Sequence, residues 1–98
     1  MLELKDFMPI NFLKKEKFTG SFKGMRFRME KFEGENEETA LAVTAWPEPY
    51  GFDATPQEEK DRKLFSFDAD GIAQGVDWLN EQYKTQEERW KRADGGWR

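Results

Sequence analysis

The sequence predicts an α+β domain: a small antiparallel sheet of three to four strands with a long C-terminal amphipathic helix packed on one face. Three observations carry this. Residues 24–32, GMRFRMEKF, alternate apolar and charged side chains with a period of two, the signature of a half-buried strand. Residues 40–46, ALAVTAW, follow a polar, glycine-containing stretch and read as a second strand, so the pair forms an antiparallel hairpin. From Ala69 or Asp70 to Lys91, the residues Ile72, Val76, Leu79, Tyr83 and Trp90 recur at steps of four, three, four and seven. That is one stripe of an amphipathic helix. A sheet with one apolar face and a helix with one apolar stripe bury against each other.

Each element has its own signals. Residues 1–22 contain Pro9 and Thr19-Gly20-Ser21, which break any long element, so they read as an irregular arm covering one side of the core. In the first strand of the hairpin Met25, Phe27 and Met29 face one way, with Arg26, Arg28 and Glu30 opposite. In the second, Leu41, Val43 and Ala45 share the core face. Pro47 and Pro49 stop that strand, because proline has no N–H for a ladder. Thr55-Pro56-Gln57-Glu58 has the form of a capping box: Thr55 as N-cap, Pro56 in the first helical position, Glu58 reaching back. KLFSF, residues 63–67, reads as a further strand with Phe65 and Phe67 inward. Asp68 or Asp70 opens the long helix, and Asp94-Gly95-Gly96 ends it. Residues 1–98 are one domain of a size that supports one modest core, with 93–98 as a flexible tail.

Composition narrows the chemistry. The chain has no Cys and no His, which excludes disulfides, cysteine-containing zinc sites, thiolate nucleophiles and a histidine base. Aromatic residues make up 15% of the chain, too many for a disordered segment. No long apolar run is present, so neither a signal peptide nor a membrane span is expected, and the cytoplasm is the default location. Net charge is −4, and it is unevenly spread. Residues 1–31 carry eight Lys/Arg against four Asp/Glu; residues 32–98 carry eight against sixteen.

Few residues qualify as a site. Asp68-Ala69-Asp70-Gly71 begins like a calcium loop, but Leu79 stands where the bidentate glutamate belongs, and helix capping explains the aspartates better. No phosphate-binding glycine loop occurs, and no carboxylates form a recognisable catalytic pair. No catalytic, cofactor or metal residues are therefore assigned. The candidates for partner binding are Arg26, Arg28, Trp46 and Trp78. Parity puts Arg26, Arg28, Thr44, Trp46 and Ser66 on the sheet face away from the helix, with Trp46 partly open to solvent. Arginines beside a tryptophan bind anions or stack on a partner; solvated cross-strand pairs are the plainer alternative. Tyr50 and Phe52 are expected to turn back and cover the end of the core. Trp78 lies about 120° around the helix from Ile72, off the stripe, and is either wrapped by the arm or exposed to a partner.

FMPINFLKKEKFTGS (7–21), GMRFRMEK (24–31), WPEPYGFDATPQEEK (46–60) and GVDWLNEQY (75–83) resemble a family of small uncharacterised bacterial proteins. Its members occur in gut bacteria, often among mobile-element and prophage genes. Some members carry a GNAT-type acetyltransferase label. That label requires a glycine-rich pyrophosphate loop opening a helix, and Gly71 and Gly75 do not have its spacing. The resemblance implies a bacterial, mobile-element setting without an activity.

The leading expectation is a non-enzymatic accessory protein that binds a protein partner through its spare rings. Single-stranded nucleic-acid binding through Arg26, Arg28 and Trp46 is a second expectation. A third is an inhibitor that docks on a DNA-handling defence complex by presenting Glu33, Glu35, Glu37, Glu38, Glu58, Glu59 and Asp61. An acetyltransferase-like enzyme is the least favoured.

Overall fold

The alternation of residues 25–47 does form the centre of the fold. In the computed structural model, β2 (Met25–Glu33) and β3 (Thr39–Pro47) pair antiparallel along their full length, with Phe27 across from Ala45 and Met29 across from Val43. The described residues are 2–7, 9–35, 38–48 and 51–95, without side chains at 6 and 92–95. β1 (Phe18–Phe22) and β4 (Asp61–Ser66) complete a four-stranded sheet in the order β1-β2-β3-β4, all antiparallel.

The arm is thus more ordered than an irregular segment. Its last five residues are a sheet strand, joined to β2 through Lys23 and Gly24. Both turn residues have positive φ, 45° and 92°, as a two-residue type I′ hairpin requires. This turn matches the right-handed twist of the strands, which explains why Thr19-Gly20-Ser21 does not break the element. Gly20 is open to the Phe27 ring instead: a β-carbon there would come within 2.7 Å of Cζ. Ahead of β1, a 3-10 turn (Leu4–Asp6) and the short helix α1 (Ile10–Leu13) seat Phe7 and Leu13 in the core. Phe7 meets Phe18 and Phe27 at 5.5 and 5.3 Å. Asn80 clasps the start of the arm, accepting from the Leu2 N–H at 3.0 Å and donating to its carbonyl at 2.9 Å. The arm therefore covers one side of the core, as expected.

The helix α2 (Ala69–Thr85) lies on the inner face of the sheet. Asp68 caps it, accepting from the Gly71 N–H at 2.8 Å. Ile72, Val76 and Leu79 are buried against Met25, Met29, Leu41 and Val43 in one core cluster. The stripe does not run on in one straight helix. Gln86 leaves helical geometry at φ −127°, ψ 34°, and α3 (Glu87–Gly95) starts anew. The Gln82 carbonyl accepts from both the Gln86 N–H and the Trp90 indole N–H. Trp90 is fully buried, and α3 touches β2 and β3. Of the expected tail 93–98, residues 93–95 belong to α3, and residues 96–98 lie outside the described residues.

Two local expectations are corrected. Thr55 caps no helix. Residues Gln57–Glu59 form one 3-10 turn behind Pro56, without a side-chain cap, and the Thr55 hydroxyl donates to the Gly51 carbonyl at 2.7 Å. The fourth strand starts at Asp61, two residues before KLFSF, and Phe65 is half-buried rather than sealed in the core. An edge strand has only one sheet neighbour to cover its side chains, which leaves one flank of Phe65 to Trp78 and solvent.

Candidate functional site

The outer face of the sheet, away from α2, collects the polar members of each strand. The register sets Arg28 beside Thr44 and Thr44 beside Arg62 in one row. The next rows are Glu30–Ala42–Leu64 and Phe32–Ala40–Ser66, and Arg26 stands across from Trp46. Three of the four expected partner-binding residues, Arg26, Arg28 and Trp46, therefore share this face. Trp78 does not join them. It sits on α2, packed edge-on against Phe65 at 6.3 Å on the opposite side of the sheet.

Trp46 is on the expected face but has no exposed surface. Phe52 lands on the outer face of the sheet instead of covering the end of the core. Its ring meets Trp46 edge-on at 5.5 Å. It also receives two cations, the Arg28 guanidinium at 4.1 Å and the Lys60 ammonium at 4.0 Å. Lys60 Nζ further donates to the Phe52 carbonyl at 2.9 Å, which ties together the two ends of residues 51–60, a strap over the outer face. Thr55 is buried within this strap. Tyr50, the other expected corner residue, lies outside the described residues.

Beside the strap a cleft of about 320 Å³ opens, lined by Glu30, Thr44, Phe52, Gln57, Lys60 and Arg62. Two cations line it, Lys60 and Arg62, and Arg28 lies next to it against Phe52 and Glu30. Arg28 is drawn deep, with 11% of its side chain exposed, and its Nε is 3.0 Å from Glu30 Oε2. The pair is close but poorly aligned, so the buried Arg28 Nε–H has no hydrogen-bond acceptor among the described residues. Arg26 Nε is in the same state, with Glu48 at 4.0 Å. Arg62 lies 4.6 Å above the Phe32 ring. A guanidinium stacked on a ring keeps its in-plane donors available for a planar carboxylate. The lining of the cleft sets the Lys60 and Arg62 cations around the Phe52 ring, with the Glu30 carboxylate beside Arg28, and an anionic group that pairs with the two cations suits it.

Two acidic residues of the expected inhibitor surface are engaged in ion pairs. Asp61 Oδ2 binds Arg89 Nη1 at 2.8 Å, and Glu33 pairs with Lys31 at 3.1 Å. The Glu59 carbonyl accepts from Arg89. Glu37 lies outside the described residues. No group of three or more acidic residues among the described residues is placed to hold a metal ion. No helix there is long and apolar enough to cross a membrane.

Phe52, Lys60, Arg62 and Phe32 were not legible as site residues from the sequence. Arg62 had a signal: Arg62, Leu64 and Ser66 alternate with Lys63 and Phe65 once the strand is begun at Asp61. Phe52 had none, because its position depends on how residues 51–60 lie on the sheet. No family model, curated protein or solved structure matches the chain.

Proposed function

We propose that this chain is a non-enzymatic accessory module that binds a protein partner through the outer face of its sheet. The observation behind this reading is the cleft where the Lys60 ammonium lies over the Phe52 ring and the Arg62 guanidinium over the Phe32 ring, with Arg28 against Phe52 next to it. Such a site suits a partner that offers carboxylates. The bacterial mobile-element setting implied by the sequence resemblance suits a small accessory chain of this kind. Stacking of single-stranded nucleic acid needs an open ring face, and Trp46 is sealed beneath Phe52.

The test starts from capture of the partner out of a lysate of the native host, followed by measurement of its affinity after purification. The double variant Lys60→Glu/Arg62→Glu is expected to bind about tenfold more weakly or worse, as charge reversal at a contact does. Lys14→Glu/Lys15→Glu, near α1, serves as the control and keeps full affinity. Equal affinity for wild type and the cleft variant rules this reading out. Salt-dependent binding of a single-stranded oligonucleotide, lost in the cleft variant, favours the nucleic-acid reading instead.

A further inference from the structure

The cleft opens onto β4, and β4 has one strand neighbour, β3. Its other side is a sheet edge, where alternate N–H and C=O groups have no partner strand. Arg62, Lys63 and Leu64 are exposed in succession there, and Leu64 is one of two large apolar side chains among the described residues that stand out in solvent. Two adjacent cations make the edge selective. A second copy of β4 paired antiparallel about Lys63 would set the two Lys63 side chains against each other, a repulsive arrangement. An acidic strand meets the opposite condition.

We propose that the β4 edge takes an extended acidic segment of the partner as a fifth, antiparallel strand. This rests on the partner-binding reading above and names the chemistry of the segment. Strand addition supplies main-chain hydrogen bonds, and alternate side chains supply specificity. Neighbours across a ladder share a face. A carboxylate across from Arg62 therefore falls on the outer face, beside the cleft that Lys60 borders. A carboxylate across from Lys63 falls on the inner face. An aliphatic residue across from Leu64 covers that exposed side chain, and one across from Phe65 extends the Phe65–Trp78 contact. Read along the partner in the antiparallel direction, the pattern is apolar, apolar, acidic, acidic. At Asp61 the carboxylate is already held by Arg89 and Gln86, so the added strand ends there.

The probe is the peptide acetyl-Ser-Thr-Val-Leu-Glu-Glu-Ser-Thr-amide, with a control in which both Glu are Lys, added to the isotope-labelled full chain at low salt. Amide hydrogen exchange at residues 61–66 is followed by NMR. The acidic peptide is expected to slow alternate β4 amides by about tenfold or more. The Lys peptide leaves them unchanged. Arg62→Glu/Lys63→Glu is expected to exchange the two responses, so that only the Lys peptide protects. If the acidic peptide shifts the Phe52, Lys60 and Arg62 signals without slowing β4 exchange, strand addition is wrong while outer-face binding stands. Absence of any response at millimolar peptide also overturns strand addition. If the captured partner ignores the cleft variant, the broader reading falls whatever the peptide does.

Discussion

The Phe52 ring stands edge-on to the Trp46 indole, 5.5 Å between centroids, on the sheet face opposite the main helix. This contact turns an open face into a second, smaller apolar cluster. Phe52→Ala should cost about 1–3 kcal/mol, less than a fully buried ring because Phe52 is only half-buried. The checking measurement is ¹⁹F NMR of 5-fluorotryptophan-labelled protein, with the Trp46 resonance assigned by Trp46→Phe. Wild type should show no H₂O/D₂O isotope shift at Trp46, and Phe52→Ala should show one. A solvent shift already present in wild type contradicts the covered face.

Two glycines of α2 should respond oppositely to alanine. A β-carbon at Gly71 would overlap the Ser66 carbonyl oxygen, which belongs to the backbone and cannot step aside. Gly71→Ala should destabilise by about 3 kcal/mol or more, in the range of overpacked sites. At Gly75 the β-carbon would meet the Val43 and Met29 methyl groups at 3.0 and 3.1 Å. Small side-chain shifts there are offset by the helix preference of alanine, about 1 kcal/mol. Gly75→Ala should therefore stay near neutral in urea unfolding. Similar losses for both variants would refute this assignment.

The cap at Asp68 predicts a pH response. Its carboxyl is held below the ordinary value of 3.8, first by the Gly71 N–H and then by the Ser66 hydroxyl. A depressed carboxyl pKa contributes stability that is complete above the unfolded value and is lost as pH falls through the folded one. Asp68→Asn keeps a capping oxygen but has no such titration. Its melting temperature should fall less than that of wild type as pH drops from 5 to below 3.8. Parallel pH curves for the two proteins would show that Asp68 makes no charged contribution.

The hairpin joining β1 and β2 tests the local backbone. Lys23 holds φ 45°, a region that asparagine tolerates better than lysine, and Gly24 holds φ 92°. Lys23→Asn should stabilise by about 0.5 kcal/mol, and Gly24→Ala should destabilise by about 1–2 kcal/mol. Chemical denaturation of the two variants gives the signs directly. A destabilised Lys23→Asn would mean that the lysine side chain, 5.4 Å from the Phe22 ring, outweighs the backbone term.

The two central strands, the inward set Met25, Phe27, Met29, Leu41, Val43 and Ala45, and a start of the long helix at Asp68 or Asp70 were determined by the sequence alone; the bond from the Gly71 N–H decides for Asp68. Their signals are local: a period of two, a period near 3.6 and a capping aspartate, each readable within a few neighbours. The face of Trp46 was equally legible, because parity along a strand needs no knowledge of the rest. Its burial was not. Exposure of a sheet face depends on whether a distant loop crosses it, and nothing local in residues 48–60 states where Phe52 lands. The break at Gln86 is of the same kind: the apolar stripe continues from Tyr83 to Trp90, and only packing of Trp90 on the sheet sets the bend. The cleft likewise joins Glu30, Thr44 and Arg62 from three strands with Phe52 and Lys60 from the strap. Periodicity placed each strand residue on a face, but the pairing register and the path of the strap decided which of them meet, since neither is written in the spacing of any one segment.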